Sequence, residues 1–494
     1  MLYRSTRDAS VKCSSAEAIS KGISEDGGLF VPESIPVMSD DDFKRLVSLD
    51  YIGRAKEVLK LFLTDYTEDE LENCLEGAYI GTFEDDKPAP LKKLDDGKYV
   101  LELWHGPTCA FKDLALRLLP FLLTCAAKKT GKGKSVILVA TSGDTGKAAL
   151  EGFRDVPDTE IIVFYPVHGV SPMQKLQMDT QKGENVNVCA INGNFDDAQT
   201  GVKKIFTDRA VKDKLRSNGM EFSSANSINW GRLVPQIVYY VSSYCELLKN
   251  GEDLENGFNV VVPTGNFGNI LAAYYAKCMG VPIAKLICAS NSNNVLTDFI
   301  NTGVYDRNRK FYTTASPSMD ILISSNLERM LYHLYGNDAA ATADLQKQLS
   351  DTGVFKIDDT VKNNFRKLFY GGCCDDDGTF KTIKSVYDKY GYLIDTHTAV
   401  AMSVQNEYEK ETGDNRPVVV ASTASPYKFC SSVLKALAEE KCSGDEFGMA
   451  DALNAITGVK IPEPINGLKG ADVRFKNVCE KQDMEGFVLK SLGI

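Results

Sequence analysis

Lys112 is the side chain of this sequence best placed for covalent chemistry with a carbonyl compound. It stands in the string Trp104-His105-Gly106-Pro107-Thr108-Cys109-Ala110-Phe111-Lys112-Asp113, in which a Gly-Pro turn leads into a predicted helix. Apolar neighbours and the positive end of a helix dipole both disfavour a cation, so they favour the neutral amine that forms a Schiff base. The local sequence leaves a second interpretation open, a surface lysine, which is the usual place for this residue type.

Two glycine-containing strings are candidates for a phosphate-binding loop, which needs converging backbone N–H groups in front of a helix. Residues 192–197 contain two aspartates that would repel a phosphate, so we predict a capped helix start there. The string that follows the apolar run at 259–262 has no acid and precedes helix-forming residues. Ordinary tight turns have similar sequences, but this string is the better phosphate loop. It consists of Gly265-Asn266-Phe267-Gly268-Asn269.

A third candidate is the turn Thr141-Ser142-Gly143-Asp144-Thr145-Gly146, between a predicted strand and a helix predicted over residues 147–153. Hydroxyl and amide donors at a helix N-terminus suit a carboxylate. Considered alone, the string is more typical of an ordinary N-cap, in which Asp144 or Thr145 satisfies the first turn of the helix.

Predicted buried strands position these candidates. Apolar runs without period-two alternation occupy residues 135–140, 161–165, 259–262 and 418–421. Such runs are typical of strands buried on both faces of a parallel sheet, and their alternation with helical segments predicts an open α/β fold. Ligands of such folds bind beyond the carboxyl ends of the strands, where the candidate turns fall. The helical pattern after Lys112 contains Pro120, which predicts a kink or a break.

The 494 residues predict two to four domains. Acidic helical segments at 39–49 and 66–78, without a glycine-loop βα unit, indicate a separate N-terminal domain that ends near the polar segment 84–90. We predict an N-terminal domain over 1–95 and the first part of a large domain over 96–130. A small α/β domain then covers 131–234, and the remainder of the large domain with a C-terminal helical segment covers 235–494.

Composition argues against several kinds of partner. The net charge is −11 and no long basic run occurs, which argues against nucleic acid and anionic membranes. No apolar stretch approaches the roughly twenty residues of a membrane span, and the first eight residues lack the apolar core of a signal peptide. The thirteen cysteines are scattered without a Cys-x-x-Cys pair, and the four histidines have no metal-binding spacing. We therefore expect a cytoplasmic protein without a metal site.

Together these strings resemble the threonine synthase family, fold-type-II pyridoxal-phosphate enzymes of the tryptophan synthase β superfamily. The resemblance extends over nearly the whole chain. Two small departures, Asp8 and Asn269, replace residues common in the family without removing a group that the chemistry needs. The strings that carry it are Tyr3-Arg4-Ser5-Thr6-Arg7, residues 22–32, 105–108, 111–113, 141–146, 226–230, 265–269, 316–321 and 395–400.

The resemblance implies two open, mostly parallel α/β sheet domains and an extra N-terminal domain. It also implies pyridoxal 5′-phosphate, bound to Lys112 as a Schiff base with Phe111 alongside. The cofactor phosphate would bind Gly265, Asn266, Phe267, Gly268 and Asn269, with Asp144 near the 3′-oxygen. Thr423, otherwise a helix cap, would be the hydroxyl partner of the pyridine nitrogen. Thr141, Ser142, Gly143 and Thr145 would take the substrate α-carboxylate.

The implied reaction converts O-phospho-L-homoserine and water to L-threonine and phosphate, with Lys112 as the proton shuttle. The alternatives are an O-phosphohomoserine phospholyase and a threonine or serine dehydratase of the same superfamily. The substrate's own phosphate needs a second anion site, for which Arg232, Lys175 and Arg117 are unranked candidates. The chain is expected to act as a monomer or homodimer.

Overall fold

A computed structural model describes residues 1–141, 143–168 and 170–494 of the chain. Its strands are β1 Tyr3–Ser5, β2 Lys12–Cys13, β3 Phe30–Pro32, β4 Leu91–Asp95, β5 Lys98–Glu102, β6 Lys134–Ala140, β7 Thr159–Pro166, β8 Val186–Asn192, β9 Met220–Ser223, β10 Phe258–Pro263, β11 Ile283–Ser290, β12 Val304–Asp306, β13 Val354–Lys356, β14 Phe369–Cys373, β15 Val418–Ser422 and β16 Val478–Glu480.

The helices connect these strands and cover the sheets. They are α1 Ser15–Lys21, α2 Asp40–Val47, α3 Tyr51–Phe62, α4 Glu68–Tyr79, α5 Lys112–Leu116, α6 Leu119–Thr130, α7 Asp144–Phe153, α8 Pro172–Asp179, α9 Phe195–Thr207, α10 Arg209–Ser217, α11 Trp230–Lys249, α12 Gly268–Cys278, α13 Val295–Thr302, α14 Leu327–Leu334, α15 Ala339–Thr352, α16 Asp359–Leu368, α17 Asp376–Tyr390, α18 Thr396–Thr412, α19 Cys430–Ala438, α20 Glu446–Thr457, α21 Glu463–Asn466 and α22 Met484–Leu492.

The larger sheet has the strand order β14-β11-β10-β15-β5-β4. Its pairs are parallel except for the antiparallel edge pair of β4 with β5. Val260 and Val262 of β10 lie in one apolar core and Val261 lies in another, so the strand is buried on both faces. The continuous apolar run predicted this arrangement, because alternating polar residues would require a solvent-facing side.

The smaller sheet has the order β16-β8-β7-β6-β9 and is parallel throughout. The predicted fold class, with open and mostly parallel sheets, is confirmed. Strand β16 is an addition that the sequence pattern did not show. We had placed residues 478–480 with the large domain, but they pair with β8, and α22 packs beside α9.

The N-terminal region contains the predicted acidic helices and a small sheet that we did not predict. Ser39 and Thr67 are the N-caps of α2 and α4, and each forms a capping box with the acid three residues later. Strands β2, β1 and β3 form an antiparallel sheet of two- and three-residue strands. Such short strands carry too little periodicity to be recognised in a sequence.

The segment after Lys112 breaks where Pro120 predicted. Helix α5 ends at Leu116 and α6 begins at Leu119, with Pro120 in the first turn of α6. Proline is tolerated there because the first N–H groups of a helix have no intrahelical acceptor. Nowhere in the described ranges does a helix have both the length and the apolar content to cross a membrane.

Candidate active site

Three neighbouring parallel strands of the larger sheet end at the same edge. Strand β15 pairs with β10 on one side and β5 on the other. Helix α12, which follows β10, packs in one apolar core, and α19, which follows β15, packs in the other, so the chain leaves the two strands on opposite faces of the sheet. Such a switch point is where open α/β sheets bind ligands. Strand β10 leads into residues 265–269, β15 into Thr423 and β5 into Lys112 through residues 103–111. The Phe111 N–H donates to the Thr423 carbonyl at 2.8 Å.

Lys112 is the first residue of α5, and its side chain is only 11% exposed. Its Nζ lies 3.5 Å from Oδ2 of Asp144 and 4.7 Å from the centre of the Phe111 ring. Burial lowers the pKa of Lys112, and although Asp144 raises it, Lys428 and Arg232 lower it further. The surface-lysine interpretation is therefore wrong, and the surroundings of the side chain shift it toward the neutral amine.

Asp144 accepts from donors that converge from distant parts of the chain. Its Oδ1 lies 3.0 Å from Nζ of Lys428 and 2.8 Å from Nε2 of Gln174, and Ser318 donates its hydroxyl to Oδ2 at 2.9 Å. Burial would raise the pKa of Asp144, but Lys428 and Lys112 outweigh it and hold the pKa far below its ordinary value. Asp144 is thus a carboxylate at neutral pH.

Lys428, Gln174 and Ser318 are residues of the site that we did not predict from the sequence. Ser318 lies within the family string 316–321, which indicated that the segment matters in the family but did not indicate a contact with Asp144. Lys428 and Gln174 occur in no string that we had singled out, and each reaches Asp144 only through the tertiary fold.

The predicted phosphate loop follows β10 and includes the first two residues of α12, as its sequence context indicated. Phe267 adopts a left-handed backbone with φ of 62°, which turns the chain into the helix. Gly265 faces the Ser318 backbone so closely that a Cβ would lie 2.8 Å from the Ser318 carbonyl oxygen. The loop is therefore packed against the residue that contacts Asp144, and only glycine fits at position 265 without a shift.

The donors of this loop fit an anion such as a phosphate group. Among the described residues, none accepts a hydrogen bond from the backbone N–H groups of residues 265–269. Asn269 is buried; its Oδ1 accepts from the Tyr240 hydroxyl, while its Nδ2 has no partner among those residues. Free N–H groups at a helix start are the basis of phosphate binding. The loop is suited to the phosphate of a cofactor.

The turn after β6 is organised by Thr141. Its hydroxyl accepts from the N–H groups of Gly143 and Gly146, each at 3.0 Å. The N-cap interpretation assigned this role to Asp144 or Thr145 and is wrong in that respect. Gly143 has φ of 150°, and a Cβ there would meet the Gln174 amide at 2.5 Å. Ser142 lies outside the described residues, and Thr145 is the second residue of α7.

The rejected glycine string is a capped helix start. Asn194 caps α9 by accepting from the Asp197 N–H, and Asp197 accepts from the Asn194 N–H. This reciprocal pair confirms the prediction for residues 192–197. Within the described ranges, no group of three or more His, Cys, Asp or Glu side chains is arranged to hold a metal ion.

The three candidate cations for a second anion site differ in their surroundings. Lys175 is 46% exposed and pairs with Asp179 of the same helix at 2.6 Å. Arg117 donates to the Glu151 carbonyl at 2.9 Å and to the Thr82 hydroxyl at 3.3 Å. Arg232 is 5% exposed, and its charge acts on Lys112. Of the three, Arg232 is the one that is both buried and close enough to act on the charge of Lys112.

Comparison with known proteins places the chain among threonine synthases. It is 42% identical to "Threonine synthase-like 1" of Homo sapiens over 85% of its own length and 58% of that relative's length. It is 35% identical to "Threonine synthase" of Saccharomyces cerevisiae over 97% of the chain and 98% of the relative. A crystal structure of PLP-bound threonine synthase from Brucella melitensis is 36% identical, covers 99% of each chain and has a TM-score of 0.88.

Family models match three consecutive parts of the chain. They are described as "Threonine synthase N terminus" over residues 2–79, "Pyridoxal-phosphate dependent enzyme" over 87–355 and "Threonine synthase, C-terminal" over 398–488. With the fold and the site, the central match defines a pyridoxal-phosphate-dependent enzyme and confirms the predicted cofactor. The chain belongs to the threonine synthase family.

Proposed function

We propose that this enzyme converts O-phospho-L-homoserine and water to L-threonine and inorganic phosphate. The observation that carries the proposal is the buried guanidinium of Arg232, whose charge acts on Lys112. A phosphorylated substrate of a pyridoxal-phosphate enzyme brings a second phosphate, so its site needs a second cationic group. A dehydratase acting on serine or threonine has no such need.

Arg232 supplies that group. It lies in the first turn of α11 and donates from Nη1 to the Ala225 carbonyl at 2.9 Å. In the described part of the chain, its buried Nε has no partner and no carboxylate forms an ion pair with it. Burial lowers the pKa of Arg232 to about 10, so the guanidinium is still charged at neutral pH. A buried cation without a carboxylate is costly unless an anion binds it.

The residues of the site can be assigned to a cofactor and a substrate. When bound, pyridoxal phosphate supplies a ring that accepts the electrons left when a C–H bond of the attached amino acid breaks. We assign its phosphate to residues 265–269, its pyridine nitrogen to Thr423 and its 3′-oxygen to Asp144. Thr423 is neutral, so it does not hold a proton on the ring as a carboxylate would. The turn containing Thr141, Gly143 and Thr145, with Ser142, would bind the α-carboxylate.

Lys112 is the proton carrier in this assignment. Its amine, once free of the cofactor, stays tethered beside the substrate and can take the Cα proton and return it. The same group is placed to move protons at Cβ and Cγ, while phosphate leaves Cγ and a water oxygen adds at Cβ. Arg232 would hold the phosphate as it departs and stabilise its growing charge.

A product assay tests the proposal. The purified protein is incubated with pyridoxal phosphate and O-phospho-L-homoserine, and the products are identified by mass spectrometry. Equal amounts of threonine and phosphate support the proposal, and Lys112→Ala is expected to produce neither. If 2-oxobutyrate appears with phosphate instead of threonine, the enzyme is a phospholyase. If O-phospho-L-homoserine is not consumed but serine or threonine is consumed in a parallel incubation, it is a dehydratase.

A further inference from the structure

Lys428 is a second buried lysine beside Lys112. It lies in the short 3₁₀ turn Pro426–Phe429, five residues beyond Thr423, and no part of its side chain is exposed. Its Nζ donates to the Thr108 carbonyl at 2.8 Å and lies 3.0 Å from Oδ1 of Asp144. The ammonium group is therefore fixed from two sides, by the segment that precedes Lys112 and by the start of α7.

Asp144 is shared unequally between the two lysines. The distance to Lys428 is 3.0 Å, whereas that to Lys112 is 3.5 Å. Gln174 also donates to the oxygen that faces Lys428, and Ser318 donates to the oxygen that faces Lys112. The negative charge of Asp144 is already balanced by Lys428, and both of its oxygens accept hydrogen bonds. Asp144 therefore stabilises a positive charge on Lys112 less than an unshared carboxylate would.

The charged groups around the two amines are few. Lys112 is acted on by Asp144, Lys428 and Arg232. Lys428 in turn acts on Asp144 and on Asp113, the residue that follows Lys112. One close carboxylate cannot stabilise two buried cations equally, and Lys428 has the shorter contact with it and a carbonyl acceptor in addition.

We propose that Lys428 is a positioning residue that holds Asp144 as its own counter-ion and thereby keeps the amine of Lys112 neutral for attachment of the cofactor. The inference rests on the assignment of Lys112 as the cofactor-binding lysine. A lysine that only fills the core would support the fold but would not change the proton affinity of Lys112.

The test measures how fast pyridoxal phosphate attaches to cofactor-free full-length protein as a function of pH, followed by visible absorption. Attachment requires the neutral amine, so the midpoint of the rate profile reports the pKa of Lys112. Lys428→Met removes a neighbouring cation and releases Asp144 to Lys112. We expect the midpoint to rise by about one unit or more, with about a tenfold slower attachment below it. Lys428→Arg keeps the charge and is expected to preserve the midpoint.

Variants of Asp144 separate electrostatics from loss of structure. Asp144→Asn leaves two cations without a carboxylate and is expected to lower the midpoint, opposite to Lys428→Met. The double variant Asp144→Asn with Lys428→Met removes both charges of the pair, so neither residue is left as a buried charge without its partner. This variant replaces Lys428→Met in the test if Lys428→Met alone does not fold. Its midpoint is expected above that of Asp144→Asn.

Two failures are distinguishable. If Lys112→Ala attaches the cofactor as fast as the unmodified protein, the assignment of Lys112 and the proposed function fail together. If attachment depends on Lys112 but removing Lys428 leaves the midpoint unchanged in both the natural and the Asp144→Asn backgrounds, the role of Lys428 is overturned.

Discussion

The backbone N–H of Ser318 donates a hydrogen bond to Nε2 of His397 at 3.1 Å. Because Nε2 accepts, the ring proton is on Nδ1, which lies 2.7 Å from Oδ2 of Asp395. Asp395 also caps α18 by accepting from the N–H groups of His397 and Thr398. Ser318 donates its hydroxyl to Asp144. The start of α18 is thus connected to Asp144 through the turn that contains Ser318.

We expect His397→Ala to weaken both stability and catalysis. The substitution leaves the Ser318 N–H without its acceptor in a partly buried site, a loss of about 1 kcal/mol in the free energy of unfolding. It also frees the Ser318 hydroxyl from its fixed position at Asp144, so kcat should fall while the KM for substrate changes little. Denaturant unfolding and steady-state kinetics measure the two effects. His397→Asn is the control, because the Asn side chain can accept the hydrogen bond from the Ser318 N–H. An unchanged kcat in His397→Ala would refute the connection between α18 and Asp144.

The parts of the site that sequence predicted are those encoded by local pattern. The apolar run at 259–262 predicted a buried strand before Gly265. Because residues 265–269 contain no acid, they were preferred as the phosphate loop over residues 192–197. The donors to Asp144 could not be predicted in this way. Gln174, Ser318 and Lys428 are separated from one another by more than a hundred residues, and only the packing of the two sheets brings them to one carboxylate. The pairing of residues 478–480 with β8 likewise depends on the tertiary fold and could not be predicted from local pattern.

Gly265 and Gly268 provide a matched pair of substitutions in the phosphate loop. A Cβ at Gly265 would lie 2.8 Å from a backbone oxygen of Ser318, whereas at Gly268 its nearest neighbour is the Asn326 amide at 3.4 Å. We therefore expect Gly265→Ala to destabilise the cofactor-free protein by about 1–3 kcal/mol, and Gly268→Ala to change it by less than about 0.5 kcal/mol. Thermal unfolding of the two variants compares them. Equal losses would show that the Ser318 contact does not restrict position 265.

Asp113 makes a pH-dependent contribution to stability. Burial raises the pKa of Asp113 to about 6, although the Thr108 N–H and hydroxyl donate to it and lower the value. In the unfolded chain an aspartate titrates near about 4, so the native state binds more protons between these values. Its contribution is complete below about pH 4 and is lost as the pH rises through about 6.

Asp113→Asn is expected to remove this dependence. Relative to the unmodified protein, the variant should gain stability as the pH rises from 4 to 6, by an amount on the order of 2–3 kcal/mol. Denaturant unfolding at a series of pH values gives the difference. Asp472→Asn, at an exposed position, is the control and should show no such trend. A constant difference between Asp113→Asn and the unmodified protein would contradict the assignment.

Arg232 should determine the affinity for the substrate phosphate but not for the cofactor. Truncating one partner of a buried charge pair typically costs at least about 2 kcal/mol, so Arg232→Ala is expected to lower kcat/KM for O-phospho-L-homoserine by about thirtyfold or more. Inorganic phosphate should also inhibit the variant less. Lys175→Ala is the matched control, since Lys175 is half exposed and already pairs with Asp179; about a twofold change or less is expected there. If Arg232→Ala instead abolishes attachment of pyridoxal phosphate and leaves phosphate inhibition intact, Arg232 serves the cofactor and the second anion site lies elsewhere.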